Sequence, residues 1–380
     1  MHLHSDTHLQ LQMEAQAFAL ESLRPFVVKQ DASGSFPRHW FQQCGKLGLI
    51  GADFPVEYGG RELKALGAVL VLEEISKESG SLGAVLAAHM QSSRFLLHNG
   101  SEEQKQKYLV PALKGEILLS FALTEESAGS DIAGVETTAV REGDAWILNG
   151  SKHWITNGGE AQAYIVSART NFERSRRGIS LFLIEDTMPG LSTEQLEQKM
   201  GMNNTPLSGL AIKNCRLPLD CLVGEENKGF DLSNASLGDS RLYLSAVAVG
   251  MAQGALDRAL NYVKNRQQSD RQIVTYQGVT FPLAEMYAEL EAARALLYHM
   301  AKIRDELPST RVGMAALKLF STNMCCFVCD RALQLFGGNG YLKDFEVERF
   351  VRDSRMLKLA GGTSEICKVI VSNSLIYKGK

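Results

Sequence analysis

Residues 331–366 read RALQLFGGNGYLKDFEVERFVRDSRMLKLAGGTSEI, a stretch with two glycine turns, each beside a helical segment. The first turn is Gly337-Gly338-Asn339-Gly340, and the second is Gly361-Gly362-Thr363, which opens the last helix. Glycine permits a positive φ and a close approach of the backbone to a ligand. Because helix N-termini also present free N–H groups, the pattern suits a large phosphate-bearing cofactor, although simple capping turns have the same composition.

Upstream of this stretch, apolar residues recur at helical spacing. Leu256, Leu260 and Val263 lie at i, i+4 and i+7, and two more series repeat the pattern before residue 331. Three long amphipathic helices and a final one predict a four-helix bundle. Near residue 119 the pattern changes to short β-rich segments separated by turn residues. Before that point the pattern is helical again.

These changes of pattern predict three domains. They are an N-terminal helical domain at 1–118, a middle β-domain at 119–225 and a C-terminal helical bundle at 226–380. The segment GISLFLIED at 178–186 is almost continuously apolar, which is typical of a central strand. The predicted fold class is therefore α+β, with a β-domain between two helical domains.

The composition excludes some classes of protein. The chain has 380 residues, of which 45% are hydrophobic, and a formal net charge of −3. This balance argues against a nucleic-acid-binding protein, which would usually carry a basic surplus. No apolar run reaches membrane-spanning length, and the polar N-terminus lacks the apolar core of a signal peptide. We therefore predict a cytoplasmic protein without a membrane span.

The seven cysteines are scattered without the regular spacing of a disulfide framework. Cys325, Cys326 and Cys329 lie close together, but in an apolar helical segment with no second group of ligands. Because free cysteine packs as a small hydrophobic residue, we interpret them as buried structural thiols. No metal site is predicted.

Two motifs resemble the signatures of one known family. The first is ALTEESAGSDIAG at 122–134, and the second runs from Gln334 through the first glycine turn to Asp344, Arg349 and Asp353. Both resemble signatures of the acyl-CoA dehydrogenase family, in the same order, and the likeness extends over nearly the whole chain. The resemblance implies an FAD-dependent oxidoreductase that acts on an acyl thioester of CoA or of an acyl carrier protein. It also implies a homotetramer and, for a dehydrogenase, electron transfer flavoprotein as the electron acceptor.

The resemblance also implies positions for the cofactor. A tryptophan in a strand is usually a core residue, but here the matching Trp154 would pack on the flavin, with Thr124 and Thr156 bonded to it. The residues that the resemblance assigns to FAD binding are Phe121, Leu123, Thr124, Gly129, Ser130, Trp154, Thr156, Arg266, Gln277, Gln334, Gly337, Gly338, Thr363 and Glu365. Ser130 would also lie near the substrate thioester.

One departure concerns the end of FAD that carries the pyrophosphate. In the family an Arg-x-x-Phe-Gly pattern places the Arg on the FAD pyrophosphate of a neighbouring subunit, as a charge-assisted hydrogen bond. Arg266 and Gln277 are retained here, but Ser269 and Asp270 replace the Phe and Gly. Asp270 would place a negative charge near the phosphates. A solvated Arg at a helix end is the competing interpretation.

A second departure concerns the catalytic base. Most family members carry a Glu immediately before a Gly-Thr pair, where this chain has Gly361. A minority carry it on a bundle helix before an Arg, where this chain has Ser240 before Arg241. Removal of the α-proton of a thioester needs a positioned base of suitable pKa. Neither family position supplies a carboxylate.

Several interpretations of the missing base remain open. Asp239 is one residue away from the second position, a rotation of about 100° on a helix. Ser240 can bind or relay a proton, and the Gly361 N–H can still polarise a thioester carbonyl. Arg241 either binds a polar group of the substrate or pairs with a carboxylate of the bundle. Three functions of the protein therefore remain open: an oxidoreductase with a non-standard base, a flavin-dependent monooxygenase, or a non-catalytic flavin-binding homologue.

Overall fold

The computed structural model describes residues 5–173, 178–195, 198–306 and 310–377. The N-terminal part is helical, as predicted. Its helices are α1 (Asp6–Phe18), α2 (Val27–Ser33), α3 (Arg38–Lys46), α4 (Lys64–Glu78), α5 (Gly80–Asn99), α6 (Glu102–Gln104) and α7 (Val110–Leu113). Helices α4 and α5 are buried on nearly all sides, because they are apolar around most of their circumference.

The middle part forms one seven-stranded sheet. Its strands are β1 (Leu119–Ala122), β2 (Thr138–Glu142), β3 (Ala145–Thr156), β4 (Ala163–Arg169), β5 (Ile179–Glu185), β6 (Leu191–Gln195) and β7 (Leu207–Pro218). The hydrogen-bonded order is β1-β4-β2-β3-β7-β6, and β5 pairs with β4. The prediction that β5 is a central strand was wrong. Its apolar side chains are buried, but in the described chain its only full ladder is with β4, and Phe182 bridges to Leu222.

The C-terminal part is a helical bundle. Its elements are α8 (Gly229–Asn265), the hairpin strands β8 (Gln267–Gln268) and β9 (Arg271–Gln272), α9 (Gln277–Arg304), α10 (Arg311–Leu335), α11 (Val347–Leu357) and α12 (Ser364–Ile376). The predicted final helix is α12, and the structure adds α11, which the prediction did not include; both helices pack on α10. They separate at Gly361 and Gly362, whose φ angles of 67° and 89° cannot continue a helix. The α+β fold class, with a β-domain between two helical parts, is confirmed.

Helix α8 holds the two helical parts together, because small residues let it approach α4 closely. An added Cβ on Gly250 would lie 2.2 Å from the Glu73 carbonyl oxygen, and one on Gly254 would lie 2.1 Å from the Lys77 carbonyl oxygen. Both positions therefore need glycine. This close packing orients the N-terminal half of α8, which carries Ser240 and Arg241, towards the rest of the molecule.

Helix α10 qualifies the prediction that no apolar segment reaches membrane-spanning length. Its 25 residues are long and apolar enough to cross a membrane by length and composition alone. However, 56% of its most apolar window is buried inside the fold, where α10 packs against α8, α9, α11 and α12. A core helix of a folded domain passes the same test, because its surroundings are equally apolar. Cys325 and Cys329 are buried in this helix, and Cys326 is half-buried.

Candidate active site

The first group of predicted site residues lies at one end of the sheet. Phe121 lies in β1 and Thr124 follows that strand, whereas Trp154 and Thr156 lie at the end of β3. The two segments are joined because the His153 N–H donates a hydrogen bond to the Thr124 carbonyl oxygen at 2.9 Å. Phe121, Leu123, Thr124 and Thr156 are half-buried, and Gly129 and Ser130 are exposed on the loop that follows Thr124. The structure thus places these residues on two adjoining segments.

Trp154 has an unusual backbone and an unusual exposure. Its φ is +53°, and it lies where the β3–β7 register shifts between Lys152 and Ile155. This bulge turns the side chain outwards, so that 53% of the residue is exposed. Bulges and left-handed backbone at non-glycine residues are enriched at functional sites. An outward indole ring fits a flat aromatic ligand better than it fits the core position usual for tryptophan.

The second group lies at one end of the bundle. Arg266 caps the C-terminus of α8, Gln277 begins α9, and Gln334 precedes the turn after α10. The ends of α8 and α10 are adjacent, because the Tyr262 and Phe336 rings stack with centroids 4.1 Å apart. The members of this group are exposed: Arg266, Gln277, Gln334, Gly337 and Gly338.

The glycines of the first turn leave room for a ligand. An added Cβ on Gly337 or Gly338 would meet no atom of the described structure within 4 Å, and the same holds for Gly129. Gly337 also needs its φ of +60°. The backbone is therefore open to a close approach from outside, which is the property that a phosphate-bearing cofactor requires. Together with the outward Trp154, these features fit a flavin nucleotide.

The structure explains the replacement at Ser269 and Asp270. These two residues form the loop between β8 and β9, since Gln268 pairs with Arg271. Their φ angles are +52° and +62°, as a two-residue type I′ hairpin turn demands. Asp tolerates this conformation better than most residues. The departure from the family pattern thus builds a tight hairpin immediately after Arg266.

The third group contains Ser240 and Gly361, the two positions at which members of the family carry the catalytic base. An added Cβ on Gly361 would lie 3.3 Å from Ser240 Oγ and 2.8 Å from Leu244 Cδ1. Ser240 and Gly361 therefore face each other, although they are far apart in the chain. Thr363 caps α12 by accepting a hydrogen bond from the Ile366 N–H at 3.3 Å, and Glu365 is exposed on its first turn. Neither Ser240 nor Gly361 brings a carboxylate to this point.

Asp239 is committed to a different set of contacts, which argues against its predicted role as the base. The Arg304 Nε donates a hydrogen bond to Asp239 Oδ1 at 3.0 Å, and Arg304 Nη2 contacts the same oxygen. Arg94 Nε lies 3.8 Å from the other oxygen. Arg94 and Arg304 also contact Asp53, so Asp239 belongs to a network of ion pairs. Both carboxylate oxygens of Asp239 are therefore already engaged by guanidinium groups.

We expect Asp239→Asn to act on stability and not on chemistry. Loss of the charge-assisted hydrogen bonds should cost about 1–3 kcal/mol, measured by chemical denaturation. The rate of flavin reduction by a thioester should change by less than about tenfold, well below the 10²–10⁴-fold effect of a general base. A variant of unchanged stability that no longer reduces flavin would restore Asp239 as the base.

Of the two predicted roles of Arg241, the pairing with a carboxylate of the bundle is not seen among the described residues. Arg241 is 2% exposed, and it makes no ion pair with a carboxylate among the residues that the structure describes. Its guanidinium instead lies near Cys367 on α12 and near Lys318 on α10. The sequence reasoning missed Lys318, although a single lysine within the apolar segment of α10 was a usable signal.

Two further features lie apart from these three groups. His89 on α5 is fully buried and accepts a hydrogen bond at Nδ1 from the Leu119 N–H at 3.0 Å, while Nε2 lies 3.1 Å from the Ala112 carbonyl oxygen. Burial lowers the pKa of His89 to about 4, so it is a neutral structural group. A charged cavity of about 430 Å³ between α1, α4, α8 and the first glycine turn is lined by none of the predicted site residues.

Comparisons with known proteins agree with this arrangement. Three family models match: the N-terminal domain of acyl-CoA dehydrogenase at 5–116, its middle domain at 120–215 and its C-terminal domain at 227–376. A short-chain-specific acyl-CoA dehydrogenase of Clostridium acetobutylicum is 38% identical over 94% of this chain and 95% of its own.

Solved structures give the same result. A chain from a study of the electron transferring flavoprotein of Acidaminococcus fermentans has a TM-score of 0.97 and 36% identity, over 98% of each chain. The prolyl acyl carrier protein oxidase AnaB has a TM-score of 0.94 and 32% identity, over 98% of this chain and 100% of its own. With three domain models and these relatives matched along almost its entire length, the chain belongs to the acyl-CoA dehydrogenase family of flavoprotein oxidoreductases.

Proposed function

We propose that the protein is an FAD-dependent oxidoreductase of an acyl thioester whose proton-handling site is non-standard. The observation that carries the proposal is that Ser240 and Gly361 face each other in a chain of the acyl-CoA dehydrogenase family. When bound, FAD supplies the two-electron acceptor of the reaction. This chain would hold it with Trp154 and Thr156 on the sheet, and with Arg266 and the Gly337 turn of a neighbouring subunit.

The thioester would lie between the Ser240–Gly361 pair and the sheet residues around Ser130. We propose that the Gly361 N–H polarises the thioester carbonyl, because a backbone donor does not depend on the lost side chain. Ser240 would orient the α-carbon or relay its proton, since a hydroxyl alone is too weak a base. The carrier would be CoA or an acyl carrier protein, the two kinds named for the relatives.

The exposure of Arg266, Gln334 and Gly337 in the isolated chain supports an assembled enzyme. Residues that bind a cofactor are seldom left fully open to solvent, so a neighbouring subunit would complete this half of the site. We therefore propose a cytoplasmic homotetramer that passes electrons to electron transfer flavoprotein.

An anaerobic titration tests the proposal. The purified holoenzyme is mixed with acyl-CoA thioesters and with acyl carrier protein thioesters, and flavin bleaching is followed. We expect at least one thioester to bleach the flavin. Bound flavin that no thioester bleaches would contradict a dehydrogenase.

A flavin-dependent monooxygenase is the second candidate, favoured by the absence of a carboxylate from both Ser240 and Gly361. A reaction that activates O₂ on reduced flavin needs no base at this point. Oxygen consumption that requires both externally reduced flavin and the organic substrate would establish it. A non-catalytic homologue would bind flavin and show neither activity.

A further inference from the structure

Two cations are buried beside the Ser240–Gly361 pair. Arg241 on α8 is 2% exposed, and Lys318 on α10 is fully buried. Lys318 Nζ donates a hydrogen bond to the Gly362 carbonyl oxygen at 2.7 Å, and Arg241 Nη2 lies 3.5 Å from the position of an added Gly362 Cβ. The two side chains therefore converge on the turn that contains the candidate thioester site.

Neither cation contacts a carboxylate in the part of the chain that the structure describes. The group that faces both is the Cys367 thiol, while Arg311 adds positive charge and Glu365 is exposed. Burial lowers the pKa of Arg241, and it lowers the pKa of Lys318 to about 8. Arg241 Nε is buried and donates no hydrogen bond to any described residue.

Three half-buried arginines of the bundle do have carboxylate partners. Arg258 pairs with Glu78 at 2.6 Å, Arg294 pairs with Glu73 at 2.9 Å, and Arg304 pairs with Asp239. A buried cation without an anion is costly, because the interior does not replace its hydration. Arg241 and Lys318 therefore form a site that a further anion would stabilise, and a buried donor without an acceptor marks where it can bind.

We propose that Arg241 and Lys318 bind a carboxylate carried by the acyl group, so that the substrate is a short dicarboxylic acyl thioester. This inference rests on the proposed function, because it assumes a thioester at Gly361. Consecutive Cα atoms are 3.8 Å apart, which places Arg241 Nη2 within roughly 9 Å of the Gly361 Cα. A chain the length of succinyl spans most of that distance. The substrate carboxylate would accept one or two hydrogen bonds from the Arg241 guanidinium.

Binding to the flavin-loaded protein tests the inference without relying on turnover. The probes are succinyl-CoA and 4-methylpentanoyl-CoA, which have the same branching and the same CoA but differ in charge. We expect calorimetry to show that succinyl-CoA binds at least about tenfold more tightly, the equivalent of one strong charge-assisted contact. Equal affinity for the two probes would overturn the inference and leave the proposed function intact. Failure of both probes to bind would also overturn the inference, whereas the proposed function stands or falls with the flavin-bleaching titration.

A matched pair of variants tests the charge itself. Ser240→Glu places a carboxylate of the chain beside the same cations, whereas Ser240→Gln has nearly the same shape without the charge. The preference for succinyl-CoA should disappear in Ser240→Glu and persist in Ser240→Gln. Arg241→Gln should reduce the preference to less than about threefold, with thermal melting as the check of folding. A preference that survives in Ser240→Glu would overturn the proposal even if Arg241→Gln does not fold.

Discussion

Replacing Ser240 by glutamate is expected to accelerate thioester-dependent flavin reduction by about 10²–10⁴-fold, the usual contribution of a positioned general base. Ser240 lies in regular helix, so the longer side chain brings no backbone strain. Its Oγ is 3.3 Å from where a Gly361 Cβ would be, which places the new carboxylate at the candidate thioester site. The nearby Arg241 would keep this carboxylate ionised.

Stopped-flow mixing of each variant with butyryl-CoA under anaerobic conditions measures this rate. Ser240→Gln is the matched control, because it fills the same space without a proton acceptor. Gly361→Glu is the poorer choice, since Gly361 has a φ of +67° and the new Cβ would meet Leu244 Cδ1 at 2.8 Å. Equal rates in Ser240→Glu and Ser240→Gln would show that the α-carbon of the thioester does not lie beside Ser240.

Breaking the buried ion pair between Glu125 and Lys152 should destabilise the protein by about 3–5 kcal/mol. Lys152 Nζ lies 2.7 Å from Glu125 Oε1, and both side chains are almost fully buried. The Thr137 Oγ1 and the Glu136 N–H also donate hydrogen bonds to this carboxylate, at 2.6 and 2.7 Å. Although burial acts to raise the pKa of Glu125, Lys152 and these donors lower it overall. The carboxylate is therefore ionised and depends on its partner.

Lys152→Met tests the pair, because it removes the cation and leaves the carboxylate buried. Thr124 precedes Glu125, and Trp154 follows Lys152 by two residues, so loss of the pair should also weaken flavin retention. The double variant Glu125→Gln with Lys152→Met should recover most of the stability, since it leaves no buried charge. Chemical denaturation gives the free energy of unfolding, and the ratio of flavin to protein absorbance gives the retention. Additive losses in the double variant would contradict the coupling.

The sequence alone indicated the main features of the fold. Helical and β-rich periods give the order of the elements, because side-chain periodicity is set locally by each element's geometry. The sequence also indicated that Ser240 and Gly361 lack a carboxylate. The sequence analysis wrongly placed the segment GISLFLIED at the centre of the sheet. A strand can be buried by neighbouring helices and still pair along only one of its edges. The prediction did not include α11, a short helix whose sequence VERFVRDSRML is rich in charged residues.

Only the tertiary structure decided which side chains meet. Asp239 looked available from its position next to Ser240, yet the fold brings Arg304 from another helix to its carboxylate. Likewise, Lys318 and Arg241 converge on Gly362 from two different helices. Such contacts depend on the packing angles and relative rotation of whole helices, which local periodicity does not encode. The sequence by itself determined the family, the order of the domains and the absence of a carboxylate at Ser240 and Gly361. Long-range packing decided that the buried cations of Arg241 and Lys318 lie beside these two positions.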